Sequence, residues 1–269
     1  MIPKSGNRFS DKIMRKNYLR VVIAGFGPFH GAPFNPSGRL AIALARRRRP
    51  ALAGIDLTSH IFATAYQAVD CDLPKLLARK PDVLLIFGLA ARRPHICIET
   101  RARNARSVLF ADVSGFCPKY ATIESGGPAT LTGNAPFPHL LNALRKSALP
   151  ARLSRDAGVY LCNYAYWRAL QHSANRTLVQ FVHIPSAGAM SPRKRLRTRA
   201  GPVSRLVAAC EQLLISLIAA SRSSHRLSNG SRPLSESARP QTRSSSAKLA
   251  RQIGRAPRAR SQREVKTAR

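Results

Sequence analysis

Acidic residues are scarce in this chain of 269 residues. It has 12 Asp and Glu against 45 Lys and Arg, which gives a formal net charge of +33. Such a surface attracts nucleic acid, anionic lipid or acidic proteins without a specific site. Residues 222–269 concentrate the charge, with 13 Lys and Arg against two Glu. An arginine-rich composition can also reflect genomic base bias, so the charge alone does not assign a function.

Closely spaced cysteines are also missing. The five cysteines are scattered and no pair has Cys-x-x-Cys spacing. This pattern indicates neither a zinc site nor a disulfide framework. It favours a reducing compartment, and we predict a cytoplasmic protein. The cysteines are Cys71, Cys97, Cys117, Cys162 and Cys210.

Long apolar runs are absent as well. Residues 1–20 lack the apolar core of a signal peptide, and no run reaches the roughly 18 residues that a membrane span needs. The nearest run, residues 206–220, is broken by Glu211 and Gln212. We therefore predict no membrane association.

Several motifs with known chemistry are missing too. The chain has no Gly-x-Ser-x-Gly elbow, phosphate-binding loop or His-Glu-x-x-His motif, which removes support for serine hydrolase, nucleotide-binding and zinc protease functions. Gly25-Phe26-Gly27 follows an apolar run, but His30 stands where a dinucleotide-binding motif needs its third glycine.

Strand-like and helix-like segments alternate along the chain. Asn35 and Pro36 are typical of a helix start, whereas Pro74 should kink or split its helix. This order predicts an α/β fold, a single three-layer domain with a mostly parallel twisted sheet between helices. We predict strands at 18–25, 55–63, 82–88, 95–100, 151–155 and 177–184, and helices at 36–47, 66–79, 137–146, 162–173 and 203–221.

Composition divides the chain into three parts. Residues 1–17 are predicted to be a flexible lead, and residues 18–221 the folded domain. After Ser221 the sequence is rich in Arg, Ser, Ala and Pro and almost free of aromatics, so it cannot bury enough apolar surface to fold. Residues 222–269 are therefore predicted to form a disordered basic tail.

Three side chains stand at or near the predicted strand ends. Cys162 lies where an apolar stretch becomes a helix, and His183 and Glu99 end two apolar or alternating runs. Each alone is more typical of a packing or edge residue. Together they offer a nucleophile, a base and a carboxylate that orients the base, at the edge where open α/β sheets carry their sites.

Four segments give the chain a resemblance to the C15 cysteine peptidases, the pyroglutamyl peptidase I family. They are residues 25–31 with 35–37, residues 88–91 leading to residues 96–104, residues 157–163 and residues 181–185. The likeness covers about residues 21–221. It implies the catalytic residues Glu99, Cys162 and His183, with no metal and no organic cofactor.

The resemblance also implies a substrate and its pocket. The substrate is a peptide with an N-terminal pyroglutamate, and the enzyme is a cysteine exopeptidase that acts through a thioacyl intermediate. Flat aromatic faces and a few backbone hydrogen bonds suit this small uncharged ring. The implied pocket residues are Phe26, Phe29, Thr64, Leu89, Tyr160 and Leu161.

The chain departs from the family at several positions. Leu89 replaces a glutamine, and Leu109 stands where the family carries an arginine that supports the oxyanion. Arg103 and Arg106 are the candidates to replace it. Two alternatives follow. The first is a divergent relative that cleaves another small acyl amide or has lost activity, and the second is a basic nucleic-acid-binding protein. Contact with nucleic acid through the basic clusters, residues 46–49 and 193–199, is otherwise expected to be non-specific, and a homo-oligomer is left open.

Overall fold

The computed structural model describes residues 18–147, 149–186 and 201–230, without the side chains of residues 202 and 227–230. The strands are β1 (Leu19–Phe26), β2 (Ile55–Phe62), β3 (Val83–Leu89), β4 (Ile96–Glu99), β5 (Arg101–Arg103), β6 (Thr130–Thr132), β7 (Ala151–Ser154) and β8 (Leu178–Ile184). The helices are α1 (Pro36–Ala45), α2 (Tyr66–Ala78), α3 (Phe137–Arg145), α4 (Leu161–His172) and α5 (Pro202–Gly230), with a short 3₁₀ turn at Pro50–Leu52.

Six strands form one mixed sheet in the order β2-β1-β3-β8-β4-β7. β2, β1, β3 and β8 are mutually parallel, and β4 and β7 are parallel to each other. The two groups meet at β8 and β4, which pair antiparallel. The predicted mostly parallel α/β sheet is therefore confirmed, with one reversal at this junction.

Alternate side chains of the strands point to two separate cores, as the period of two in a strand requires. Val21, Leu85 and Val182 face one core, which α1, α3 and α5 cover. Val22, Leu84 and Phe181 face the other core, which α2 and α4 cover. Helices on both faces of the sheet make the predicted three-layer arrangement.

The start of α1 is fixed by the residues that the sequence indicated. Asn35 is the N-cap, and its side chain accepts a hydrogen bond from the Ser37 N–H at 3.1 Å. The Ser37 hydroxyl in turn accepts from the Phe26 N–H at 3.0 Å, which joins the helix to the end of β1. Pro36 occupies the first helical turn, where its missing N–H is not needed.

Three features differ from the sequence prediction. α2 runs from Tyr66 to Ala78 without a break at Pro74. β5 and β6 form a short antiparallel pair at positions where no strand was predicted. α5 continues to Gly230, so residues 222–230, predicted as part of the tail, are helical. The predicted lead, residues 1–17, and residues 231–269 lie outside the described residues.

α5 has the length and apolar character of a membrane span over Val203–Arg226, which the sequence prediction did not anticipate. It is nevertheless part of the core. Leu213, Leu214 and Leu217 are fully buried against α1, α3 and the sheet. Length and composition alone do not distinguish such a core helix from a membrane helix.

Gly25 permits the close approach of α1 to β1. A Cβ at Gly25 would lie 2.5 Å from the Ser37 carbonyl oxygen, whereas one at Gly27 would meet only the Phe62 carbonyl at 3.6 Å. We expect Gly25→Ala to lower the free energy of unfolding by about 1–3 kcal/mol, because backbone must shift to admit the methyl group. Gly27→Ala is the matched control, with little or no loss in urea unfolding. Equal losses in the two variants would contradict this account.

Candidate active site

A cavity of about 230 Å³ lies at the carboxyl ends of β1, β3 and β8, beside the start of α4. This is the edge where open α/β sheets place their ligands. Its lining consists of Phe26, Phe29, Asn35, Thr64, Leu89, Ala90, Arg93, Ala157, Gly158, Val159, Tyr160, Cys162 and His183.

Cys162 is the second residue of α4, and its side chain is partly exposed in the cavity. The N-cap residue, Tyr160, makes no side-chain capping bond, and its hydroxyl donates to the Ala111 carbonyl at 2.8 Å. The first intrahelical bond runs from the Tyr164 N–H to the Tyr160 carbonyl. The N–H of Cys162 therefore precedes the helical hydrogen-bond ladder, and the helix dipole favours negative charge at this end.

His183 and Glu99 meet across the antiparallel pair of β8 and β4. Glu99 is paired with Phe181 and Cys97 with His183, so Glu99 and His183 are diagonal neighbours on one face of the sheet. Nδ1 of His183 donates to Oε1 of Glu99 at 2.8 Å. This bond leaves Nε2 as the ring nitrogen available to Cys162, whose sulfur interacts with the imidazole.

Gly88 makes room for the sulfur. It is the register partner of His183 across β3 and β8, and it points to the same face of the sheet. A Cβ at Gly88 would lie 2.8 Å from Sγ of Cys162 and 2.7 Å from Cζ of Phe181. The missing side chain thus lets the thiol rest against the sheet next to the imidazole.

The surroundings of His183 favour its protonated form. Burial of the ring lowers its pKa, but the Cys162 sulfur and the Glu99 carboxylate outweigh that effect and raise the pKa to about 9. An imidazolium at neutral pH, beside a thiol at a helix start, is the arrangement that stabilises a thiolate nucleophile.

Arg93 is a site residue that the sequence did not single out. Its Nη1 lies 3.1 Å from Oε1 of Glu99, the oxygen that also binds His183. Its Nη2 donates to the Asp156 carbonyl at 2.9 Å. Arg93 lies between residues 88–91 and 96–104, the two stretches that carry the resemblance, so the resemblance did not point to it.

Five of the six predicted pocket residues line the cavity: Phe26, Phe29, Thr64, Leu89 and Tyr160. The sixth, Leu161, does not, because it is 1% exposed and packs in the core between α2, α4 and the sheet. Helical neighbours point about 100° apart, so Leu161 turns inward where Cys162 turns to the cavity.

The arginines proposed to replace the missing oxyanion partner lie elsewhere. Arg103 pairs with Asp156 at 2.8 Å, and Nε of Arg106 donates to the Tyr120 carbonyl at 3.0 Å. Neither lines the cavity. Leu109, at the position of the family's arginine, is 81% exposed.

Among the described residues, no group of three or more His, Cys, Asp or Glu side chains is arranged to hold a metal ion. The groups in contact at the site form a thiol–imidazole–carboxylate chain, which is equipped for proton transfer and nucleophilic attack.

Glu99→Gln tests the origin of the His183 protonation. Without the carboxylate, we expect the pKa of His183 to fall from about 9 by about one unit or more, measured by NMR titration of the imidazole. The raised pKa also contributes stability that is present in full below the usual 6.5 and lost as the pH rises through about 9. In the variant this pH dependence of stability should be smaller, and an unchanged titration of His183 would contradict a contribution of Glu99 to its raised pKa. His183→Asn assigns the resonance.

Comparison with known proteins shows the family of the chain. Residues 19–221 match the family model for pyroglutamyl peptidase, Peptidase C15. The chain is 32% identical over 171 residues to a pyrrolidone-carboxylate peptidase of Thermococcus onnurineus, covering 62% of this chain and 84% of that protein. A Gloeobacter violaceus peptidase of the same name is 31% identical, with 62% and 82% covered.

Solved structures give the same result. A crystal structure of pyrrolidone carboxyl peptidase from Thermus thermophilus superposes with a TM-score of 0.64 at 28% identity, covering 73% of this chain and all of that one. A mutant pyrrolidone carboxyl peptidase from Pyrococcus furiosus has a TM-score of 0.64 at 25% identity. The segments 96–104, 157–163 and 181–185, which supply Glu99, Cys162 and His183, all lie within the matched range. The chain therefore belongs to the pyroglutamyl peptidase family, Peptidase C15.

Proposed function

We propose that the protein is a cysteine exopeptidase that hydrolyses the amide bond after an N-terminal pyroglutamyl residue, with Cys162 as nucleophile. The observation that carries the proposal is the placement of the Cys162 thiol beside His183, which is hydrogen-bonded to Glu99, at the wall of the cavity. Membership of the family supplies the substrate class.

The first step forms a thioester. The Cys162 thiolate attacks the carbonyl carbon that joins the ring to the next residue, and the negative charge moves to the carbonyl oxygen. The N–H of Cys162, at the start of α4, donates to that oxygen. Collapse of the tetrahedral species breaks the carbon–nitrogen bond, and His183 gives its proton to the departing amine.

The second step restores the enzyme. A water molecule attacks the thioester carbonyl while the now neutral His183 takes its proton. The carbon–sulfur bond breaks, free pyroglutamate leaves, and the Cys162 thiolate faces the His183 imidazolium again. Glu99 keeps Nδ1 of the ring protonated throughout, so that Nε2 is the nitrogen that exchanges protons.

Aromatic side chains suit the pyroglutamyl ring. Phe26 is 2% exposed and held against Phe62 with ring centroids 5.6 Å apart. Phe29 is less buried, and its backbone pairs with that of Ala32 in a tight turn closed by Gly31 at φ +86°. The rigid Phe26 and the loop-borne Phe29 offer faces to a flat, uncharged lactam.

The principal test is release of an amine from a pyroglutamyl amide under reducing conditions. Cys162→Ser should lose at least about 10³-fold in kcat while keeping the wild-type unfolding transition, because a serine hydroxyl stays protonated beside His183. Cys71→Ala and Cys117→Ala are matched controls at exposed cysteines, and both should keep wild-type activity.

Either of two results would contradict the proposal. Wild-type turnover in Cys162→Ser would exclude the thiol as nucleophile. A folded wild-type protein without turnover of any pyroglutamyl amide would favour a relative that acts on another small acyl amide, in keeping with the exposed Leu109.

A second variant tests the ring pocket. Phe29→Ala should lower kcat/KM for a pyroglutamyl amide about tenfold, because one aromatic contact with the ring is lost. Phe34→Ala changes a phenylalanine of the same loop that is 81% exposed and does not line the cavity, so it should have no effect. Equal effects of the two substitutions would place the ring elsewhere.

Location and partners remain proposals. All five cysteines are free, which supports a reducing compartment and hence the cytoplasm. Of the basic clusters, Arg47 and Arg49 are each 3.2 Å from Glu211 of α5, so part of that charge is engaged within the fold. Nucleic-acid contact is accordingly proposed as non-specific, and homo-oligomerisation stays a prediction.

A further inference from the structure

Among the described residues that line the cavity, Arg93 is the one permanent cation. It lies in the connection between β3 and β4, and about a third of its side chain is exposed. Its guanidinium joins three groups: the Glu99 carboxylate, the Ser154 hydroxyl at 3.4 Å and the Asp156 carbonyl. The last two belong to the segment that leads from β7 into the Cys162 helix.

We propose that Arg93 is a positioning residue that holds Glu99 as an ionised, oriented carboxylate and so sets the fraction of Cys162 present as thiolate. This inference rests on the proposed roles of Cys162, His183 and Glu99. It assigns Arg93 no contact with the substrate.

The first argument is charge balance. Glu99 has no exposed surface, and a buried charge is costly unless another charge compensates it. In the reactive state, the charges of the thiolate and the imidazolium cancel. Arg93 then balances the negative charge of the Glu99 carboxylate. With Arg93 the four groups sum to zero. Without it, the buried cluster carries one negative charge, and proton uptake by the thiolate is favoured.

The second argument is geometry. Arg93 and His183 both donate to Oε1 of Glu99, at 3.1 Å and 2.8 Å. The other oxygen, Oε2, is buried without a hydrogen-bond partner among the described residues. Two donors that converge on one oxygen fix the carboxylate against rotation, and Arg93 is the one whose charge does not change during turnover.

Other ionisable groups surround the same cluster. Cys97 faces it from β4, Tyr160 and Tyr166 from the start and body of α4, and burial raises the pKa of each. All three are therefore neutral near pH 7. Arg152 on β7, His95 just before β4 and the Asp156–Arg103 pair before α4 are further ionisable neighbours among the described residues; burial lowers the pKa of His95, and the Asp156–Arg103 pair balances itself.

The test measures how fast iodoacetamide alkylates Cys162 as a function of pH. Mass spectrometry of the tryptic peptide 156–168 separates this cysteine from the other four. In Arg93→Gln and Arg93→Met we expect the rate at pH 6 to fall about tenfold and to approach the wild-type rate above pH 9, since one pH unit in the thiolate midpoint is a factor of ten. Arg92→Gln, at an exposed neighbouring arginine, is the matched control and should follow wild type.

Arg93→Lys serves as the rescue variant. Because it keeps the positive charge, its profile should stay within about threefold of wild type at pH 6. If Arg93→Gln and Arg93→Met both fail to fold, the alkylation profile of Arg93→Lys tests the inference. A wild-type profile in a folded neutral variant, or a tenfold loss in Arg93→Lys, would overturn the inference.

The same experiment separates this inference from the proposed function. If Cys162 is not an activated nucleophile, iodoacetamide will alkylate it in the wild-type protein at pH 6 no faster than it alkylates the exposed Cys71 and Cys117. If only the role of Arg93 is wrong, Cys162 will be the fast cysteine in every variant.

Discussion

The ionised carboxylate of Glu99, with none of its side chain exposed, is the constraint on which the site depends. Such a charge is tolerated only where donors are already in place. The reversal between β8 and β4 supplies the first, because it sets His183 diagonally across from Glu99. The backbone carbonyl of Glu99 is held separately, by the Tyr166 hydroxyl and the Gln180 amide, both at 3.0 Å. The antiparallel pairing of β8 with β4 therefore also forms the hydrogen bond between His183 and Glu99.

Much of the scaffold could be predicted because its signals are local. Asn35 and Pro36 mark a helix start by hydrogen bonding that needs no distant partner, and buried strands such as β3 read as continuous apolar runs. Strand direction is not local. Nothing in the alternation of β4 records that it runs against β8, so the sequence predicted a mostly parallel sheet without its one reversal. β5 and β6, three residues each, are too short to show a period.

Site residues of an uncommon type and position could be predicted from the sequence, whereas a site residue of a type common in this chain could not. Cysteine at a helix start and histidine at a strand end are unusual enough to attract attention. Arg93 is one of 45 basic residues, and only its position in three dimensions distinguishes it from Arg103 and Arg106. Leu161 shows the opposite error, since a residue next to the nucleophile in sequence turns into the core.

The position of β8 in the sheet has a consequence for the order of events during synthesis. β2, β1 and β3 form one half of the sheet and β4 and β7 the other, and only β8 joins them. It is also the last strand to leave the ribosome, and it carries His183. A nascent chain that stops before residue 178 therefore has Cys162 and Glu99 but neither a complete sheet nor a base. Peptidase activity can therefore appear only once the two halves of the sheet are joined.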